Sequence, residues 1–145
     1  MHWMLMPLRR YADFSGRSRR REYWSFVLLN FLMGFVVLFA LGATYAAGMS
    51  ESAMTSVLTP LFALYGLAAL AFIIPGLAVT VRRLHDTDRS GWAILYALIP
   101  VIGFFLLIAF YVTEGTRGPN RFGPDPKEGD RAGAPVPTGG AALSA

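Results

Sequence analysis

The sequence contains no cysteine, which excludes disulfide bonds, thiolate metal sites and cysteine nucleophiles. It has only two histidines, His2 and His85, so it also lacks a His/Cys cluster of the kind that binds zinc. No Gly-x-Ser-x-Gly element and no phosphate-binding loop is present. We therefore expect a protein that is not an enzyme, with no catalytic residue, no metal and no cofactor.

Charge is scarce, at 15% of 145 residues, and it is absent from three long stretches, 24–48, 57–81 and 91–113. The hydrophobic content is 54% and the mean hydropathy is +0.47, which is too apolar for an ordinary soluble domain. A helix of about 20 apolar residues crosses the bilayer core of ~30 Å. We therefore predict an all-α polytopic membrane protein, a bundle of three transmembrane helices in one domain over 24–113.

Basic residues flank these stretches unevenly. Residues 1–23 carry six arginines and form a short basic amphipathic segment that we expect at the membrane interface. The turn 82–90 carries three more, whereas the loop 49–56 carries none. By the positive-inside rule, the N-terminus and the 82–90 turn are cytoplasmic. The chain has a net charge of +4. Because the arginines cluster beside apolar stretches, we expect the chain to bind anionic lipid and not nucleic acid.

Three crossings would place the C-terminal tail on the face opposite the N-terminus. The tail nevertheless carries four basic residues of its own, so the sequence allows it on either side of the membrane. A re-entrant hairpin at Pro75-Gly76 or at Pro100 would change the topology. Within the tail, residues 114–127 contain a closing motif, and 128–145 is rich in Gly, Ala and Pro and is expected to be disordered.

The 82–90 turn holds the best candidates for a binding site. Arg82 and Arg83 could donate hydrogen bonds to an anionic group, and Asp86 could orient their guanidinium groups. His85 lies next to Asp86 in the sequence. The alternative is a purely structural anchor whose acids neutralise neighbouring arginines. Arg82 and Asp86, four residues apart, can pair on a helix. We also expect Glu22 to pair with Arg82 or Arg83, and Asp86 with Arg17 or Arg20, which would fix the packing of the arm against the turn.

Four segments resemble a known family. They are Gly16-Arg17-x-x-Arg20-x-Glu22-Tyr23-Trp24, the run from Arg82 to Trp92, Pro100-x-x-Gly103, and Asn120-Arg121-Phe122-Gly123-x-Asp125-Pro126. Together they resemble domain-of-unknown-function family eight-zero-five, which consists of small bacterial inner-membrane proteins. The resemblance implies a plasma-membrane location and a compact multi-span fold, and it implies no enzyme activity. It also marks the closing motif, residues Asn120, Phe122, Gly123 and Asp125.

The functional expectation is a non-enzymatic scaffold or envelope-associated partner with an arginine-rich cytoplasmic face for anionic lipid or protein. The protein partner could be a second copy of this chain, which would form a homo-oligomer, or another membrane protein. Two alternatives remain: a small transporter or channel subunit that acts as an oligomer, and an interfacial enzyme on lipid headgroups that would use His85 and Asp86. The candidate residues for binding an anionic group or a partner are Arg17, Arg20, Glu22, Arg82, Arg83, His85 and Asp86.

Overall fold

A computed structural model of the protein describes residues 2–132, and these are all-helical apart from loops and one isolated bridge. The helices α1 to α5 are, in order, His2–Arg9, Arg20–Ala46, Glu51–Asp86, Ile102–Val112 and Glu128–Ala132, and a 3-10 helix, Gly91–Leu98, lies between α3 and α4. The prediction of an all-α fold is confirmed for the described part of the chain. Two of the three predicted spanning stretches lie almost entirely in single long helices, and the third does not.

Two long helices, α2 and α3, form an antiparallel pair that carries most of the apolar sequence. Both are longer than the stretches from which they were predicted, because their charged ends remain helical. The polar loop expected over 49–56 is correspondingly shorter, since Ser50 caps α3 by accepting from the N–H of Ala53. Along the contact the rings of Phe26 and Phe72 lie 5.6 Å apart. Within residues 2–132 these two helices are long and apolar enough to cross a membrane.

The outer faces of α2 and α3 are apolar and exposed. Phe31, Phe39, Leu64 and Leu70 each expose about two thirds of their surface. Asn30, a strongly polar residue within the uncharged part of α2, donates to the carbonyl of Phe26 in its own helix and not to a neighbouring helix. No atom of another segment lies within 4 Å of the position that a Cβ at Gly42 would occupy, so this glycine mediates no close helix contact within one copy of the described chain.

Pro75 lies inside α3, which continues through it. A proline cannot donate to the carbonyl four residues earlier, here that of Ala71. The hydroxyl of Tyr11 donates to this carbonyl at 2.7 Å. The segment after α1 therefore supplies the hydrogen bond that the helix itself cannot make.

The third apolar stretch, 91–113, is not the single helix that we predicted. A 3-10 helix ends at Leu98 and α4 begins at Ile102. Pro100 explains the break, because it disfavours helical backbone at Ile99 and has no N–H. Val101 then takes φ +64° and ψ −63°, and the Ile102 N–H donates to the Pro100 carbonyl at 2.7 Å. This is a γ-turn with positive φ at its centre, and it reverses the chain.

The two arms on either side of this turn pack against each other. The rings of Tyr96 and Phe110 are 6.2 Å apart in an edge-to-face arrangement. Gly103 lies against the Tyr96 backbone so closely that a Cβ there would fall 1.7 Å from the Tyr96 carbonyl oxygen. Residues 91–113 therefore form a closed apolar hairpin, called the 91–113 hairpin below.

The tail after the hairpin folds back onto the 82–90 turn. The tail contacts both the turn and the N-terminal arm, whereas three crossings would place the tail and the N-terminus on opposite faces of the membrane. Residues Glu128–Ala132 form the short helix α5, which corrects the expectation of disorder from residue 128. The remainder of the predicted disordered segment, 133–145, lies outside the described residues.

Candidate functional site: a buried cluster of arginines and carboxylates

Five charged side chains from three segments meet at the end of the α2–α3 pair. This arginine cluster consists of Arg17, Glu22, Arg82, Arg83 and Asp86, and all five residues are buried. Arg82 and Arg83 lie near the end of α3, Glu22 lies in the first turn of α2, and Arg17 lies in the arm that precedes α2. Five of the seven predicted site residues are thus brought together.

Two sets of ion pairs hold the cluster. Glu22 pairs with Arg82 at 3.0 Å. Asp86 pairs with Arg17 at 3.0 Å through one carboxylate oxygen and with Arg83 at 2.5 Å through the other. The predicted pairs Glu22–Arg82 and Asp86–Arg17 are confirmed. The predicted Arg82–Asp86 pair is wrong, because Arg83, three residues before Asp86, takes that place and Arg82 turns towards α2.

Backbone carbonyls take up the other guanidinium hydrogens. Arg17 donates to the carbonyls of Thr116 at 2.5 Å and Gly118 at 2.7 Å. Arg83 donates to the carbonyl of Tyr111 at 3.1 Å and to that of Thr113. These acceptors lie at the end of α4 and in the tail, so the arginines tie the end of the hairpin to the end of α3.

Arg82 reaches the N-terminal arm by donating to the carbonyl of Asp13 at 3.0 Å. The Asp13 carboxylate accepts from Arg10 and from the N–H of Ser15, which fixes the turn that presents this carbonyl. The hydrogen bond from Arg10, followed by that from Ser15, holds the pKa of Asp13 below its ordinary value. Sequence reasoning missed Asp13 because its contribution to the cluster is a backbone atom.

Gly115 is a second residue that the sequence did not point to. A Cβ at this position would lie 2.0 Å from a carboxylate oxygen of Asp86. The tail approaches this closely because the N–H of Thr116 donates to the Asp86 carbonyl at 2.8 Å. Only glycine fits here while Asp86 keeps both of its arginine partners.

His85 does not join the cluster. Its ring stacks on Phe122, with centroids 3.9 Å apart and planes within 4°. Its Nδ1 lies 3.2 Å from the carbonyl oxygen of Gly16, which makes Nδ1 the donor. Because both Asp86 carboxylate oxygens bind arginines, His85 and Asp86 form no acid–base pair, and the enzyme alternative lacks its central dyad here.

The closing motif forms a compact turn beside His85. The Asn120 side chain donates to the His85 carbonyl at 2.9 Å, and its backbone pairs with that of Gly123, which has φ +135°. The buried Asp125 accepts from the N–H of Gly118 at 3.1 Å and from that of Lys127 at 2.8 Å. The side chains of Asn120 and Asp125 therefore form hydrogen bonds with the backbone of the turn and the tail, and these bonds hold the tail in place.

Arg20 stays at the edge of this assembly. It donates to the carbonyl of Val112 at 3.0 Å and is only partly buried, so the predicted alternative pair with Asp86 is not made. Arg89, which the prediction did not single out, places its guanidinium 3.8 Å over the ring of Phe110. Such cation–π contacts have no sequence signature when the partners are 21 positions apart.

The arginine cluster is a packed site whose charged groups bond mainly to one another and to the backbone. Three guanidinium groups face two carboxylates and five backbone carbonyls, and among the described buried side-chain atoms Ser18 Oγ and Arg82 Nε are those without a hydrogen-bond partner. The guanidinium groups of Arg17, Arg82 and Arg83 are buried and already bonded, so they do not offer a free anion site. Within residues 2–132 no group of three potential metal ligands occurs either. The ion pairs and hydrogen bonds of the cluster hold α2, α3, the end of the hairpin and the tail together, so the cluster acts as a structural clamp.

An all-helical chain with two long apolar helices, closed at one end by buried ion pairs, has the composition and helix lengths of a helical membrane protein. Comparison with known families gives its place within that class. Residues 11–124 match the family described as "Protein of unknown function (DUF805)", and the chain belongs to this family.

Named relatives agree with this assignment. The chain is 44% identical over 130 residues to "Inner membrane protein YhaI" of Escherichia coli (strain K12), covering 89% of this chain and 98% of the relative. It is 46% identical over 130 residues to "Inner membrane protein YhaH" of the same strain, covering 88% and 98%. "Uncharacterized protein YiiR" is 32% identical over 141 residues, covering 80% and 87%. No solved structure shows a significant match to the chain.

Proposed function

We propose that the protein is an integral bacterial inner-membrane scaffold, with α2 and α3 crossing the bilayer and the arginine-bearing end facing the cytoplasm. The observation that carries the proposal is the separation of charge from apolar surface along these helices. Every Lys and Arg lies in 9–21, 82–89 or 117–131, while the connection between α2 and α3 has none. The names of the inner-membrane relatives support the same location.

In this proposal the arginine cluster is the clamp of the scaffold and not its binding surface. The buried arginines hold α2, α3, the hairpin and the tail in one arrangement. Binding to anionic headgroups then falls to arginines outside the cluster. Arg9, Arg21 and Arg117 are exposed at this end of the molecule, where the cytoplasmic leaflet carries negative charge.

Lipid retention after purification tests the binding part of the proposal. The full chain is reconstituted in mixed phosphatidylglycerol and phosphatidylcholine vesicles, extracted in mild detergent, and its bound lipid is quantified by mass spectrometry. We expect enrichment of phosphatidylglycerol that falls with salt, because exposed charges are screened over about 8 Å at physiological ionic strength. The triple variant Arg9→Gln, Arg21→Gln, Arg117→Gln should lose the enrichment.

Arg121→Gln is the matched control, since Arg121 is exposed but already pairs with Asp88 at 3.2 Å. It removes one positive charge from the same end and should leave most of the enrichment intact. Equal retention of both lipids by the wild-type chain, at low and high salt, would overturn the anionic-lipid proposal. The scaffold would then have to act through protein contacts, which affinity capture from membranes can identify.

A further inference from the structure

The start and the end of the 91–113 hairpin lie at the same level of the molecule. The hairpin begins two residues after Arg89, whose guanidinium covers the ring of Phe110 near the hairpin's end. It ends at Tyr111 and Thr113, whose carbonyls accept from Arg83. An apolar stretch of this length could cross a bilayer if it were one straight helix. Here the arginine cluster holds its end, and Arg89 holds its start beside that end.

We infer that the 91–113 hairpin is a re-entrant element that enters the cytoplasmic leaflet, turns near the bilayer midplane and returns to the cytoplasmic face. This inference rests on the proposed location of the arginine-bearing end. The partner of its outer surface is then the acyl-chain layer of a single leaflet. The protein would cross the membrane twice, through α2 and α3, and both the N-terminal arm and the tail would be cytoplasmic.

The lengths of the two arms agree with this depth. Eight residues of 3-10 helix rise about 16 Å, and eleven residues of α-helix rise about 16 Å as well. Half of the hydrocarbon core is about 15 Å. Each arm thus spans one leaflet, and the turn at Pro100-Val101 falls where the two leaflets meet.

The surface of the hairpin is suited to hydrocarbon. Leu98, Val101, Ile102 and Phe105 at and near the tip expose 65–78% of their surface, and no charged residue lies between Gly91 and Thr113. At the tip the N–H groups of Ile99, Ile102 and Gly103 donate to nearby carbonyls, and Pro100 has no N–H to satisfy. Backbone that turns inside a membrane needs such local hydrogen bonds, and the N–H of Val101 at the tip makes none within the described residues.

The charges of the tail agree with the same topology. Arg121 pairs with Asp88, and the Asn120 side chain donates to the His85 carbonyl. A tail on the far side of the bilayer could make neither contact. With the tail on the cytoplasmic side, all 13 basic residues of the chain lie on that side, as the positive-inside rule favours.

Single-cysteine labelling can test this inference without background, because the chain has no native cysteine. The variants are Ser52→Cys near the α2–α3 connection, Ser90→Cys before the hairpin, Val101→Cys at its tip and Gly129→Cys in the tail. A membrane-impermeant maleimide is applied to spheroplasts and to inverted vesicles. We expect Ser90→Cys and Gly129→Cys to label only in inverted vesicles and Ser52→Cys only in spheroplasts. Val101→Cys should label in neither.

The outcomes separate the inference from the proposed function. Labelling of Gly129→Cys in spheroplasts, on the side of Ser52→Cys, would show a third crossing and overturn the hairpin while leaving the membrane scaffold intact. Labelling of Ser52→Cys and Ser90→Cys from the same side would instead overturn the proposed crossing itself. A spin label at Val101→Cys should show high oxygen and low nickel-chelate accessibility; dipolar broadening between copies would show that a second chain, and not lipid, covers the tip.

Discussion

Glu22 and Arg82 lie on different helices and form an ion pair 3.0 Å long, with side chains that are only 4% and 0% exposed. Replacing Glu22 by Gln removes the carboxylate charge while nearly preserving its volume, and leaves Arg82 buried without its counter-ion. We expect Glu22→Gln to reduce the free energy of unfolding by about 3–5 kcal/mol, because an uncompensated buried charge is costly. Titration of the detergent-solubilised chain with SDS, followed by circular dichroism, measures this loss.

An exposed pair in the same molecule supplies the comparison for that result. Lys127 donates to Glu114 at 2.8 Å with much of the carboxylate in solvent. Lys127→Gln should therefore leave the unfolding curve nearly unchanged. Similar losses for Glu22→Gln and Lys127→Gln would mean that the arginine cluster is as open to water as the surface, contrary to its packing.

The second prediction concerns Gly115, which lies against the Asp86 carboxylate. Gly115→Ala places a methyl carbon 2.0 Å from a carboxylate oxygen of Asp86, so either the tail or Asp86 must move. We expect a loss of about 1–3 kcal/mol, as is typical of overpacking. Gly129→Ala is the control, because its Cβ position is open. If Gly115→Ala melted at the wild-type temperature in a fluorescence-detected thermal assay, the close approach of the tail would be wrong.

The third prediction concerns the hydroxyl of Tyr11 and the carbonyl that Pro75 leaves unpaired. Tyr11→Phe removes the hydroxyl that donates to the Ala71 carbonyl in the described part of the chain, and it should cost about 1–2 kcal/mol. In a Pro75→Ala background the restored N–H can pair with Ala71, so Tyr11→Phe should then cost much less. A double-mutant cycle measures this coupling. The same cost in both backgrounds would show that Tyr11 acts through packing alone.

Much of the fold follows from the sequence for a simple physical reason. An uncharged apolar stretch of 25 residues is most stable as a helix in hydrocarbon, and the charged residues at its ends show where it meets water. The pairs Glu22–Arg82 and Arg17–Asp86 were also predictable, because four carboxylate and guanidinium groups beside apolar helices need partners when they are buried.

The reversal at Val101 and the position of the tail were not predictable in the same way. Apolar content measures a preference for hydrocarbon, and it carries no information on whether the chain crosses the membrane or turns back. Pro100 marks a break, but the direction after it depends on contacts such as that between Arg83 and the Tyr111 carbonyl. Backbone acceptors of this kind look the same in every sequence.

The last prediction uses the backbone of the hairpin tip. Val101 has φ +64°, a conformation that is unfavourable for a β-branched residue and accessible to glycine. Val101→Gly should therefore raise the thermal midpoint of the detergent-solubilised chain, since relief of such strain is worth about 1–3 kcal/mol and the exposed valine side chain contributes little packing. Ala109→Gly, at an exposed position inside α4, should lower the midpoint, because glycine costs about 1 kcal/mol in a helix. If 91–113 were one continuous helix, both substitutions would destabilise the protein. Opposite shifts of the two midpoints therefore support the turn at Val101, and two downward shifts would contradict it.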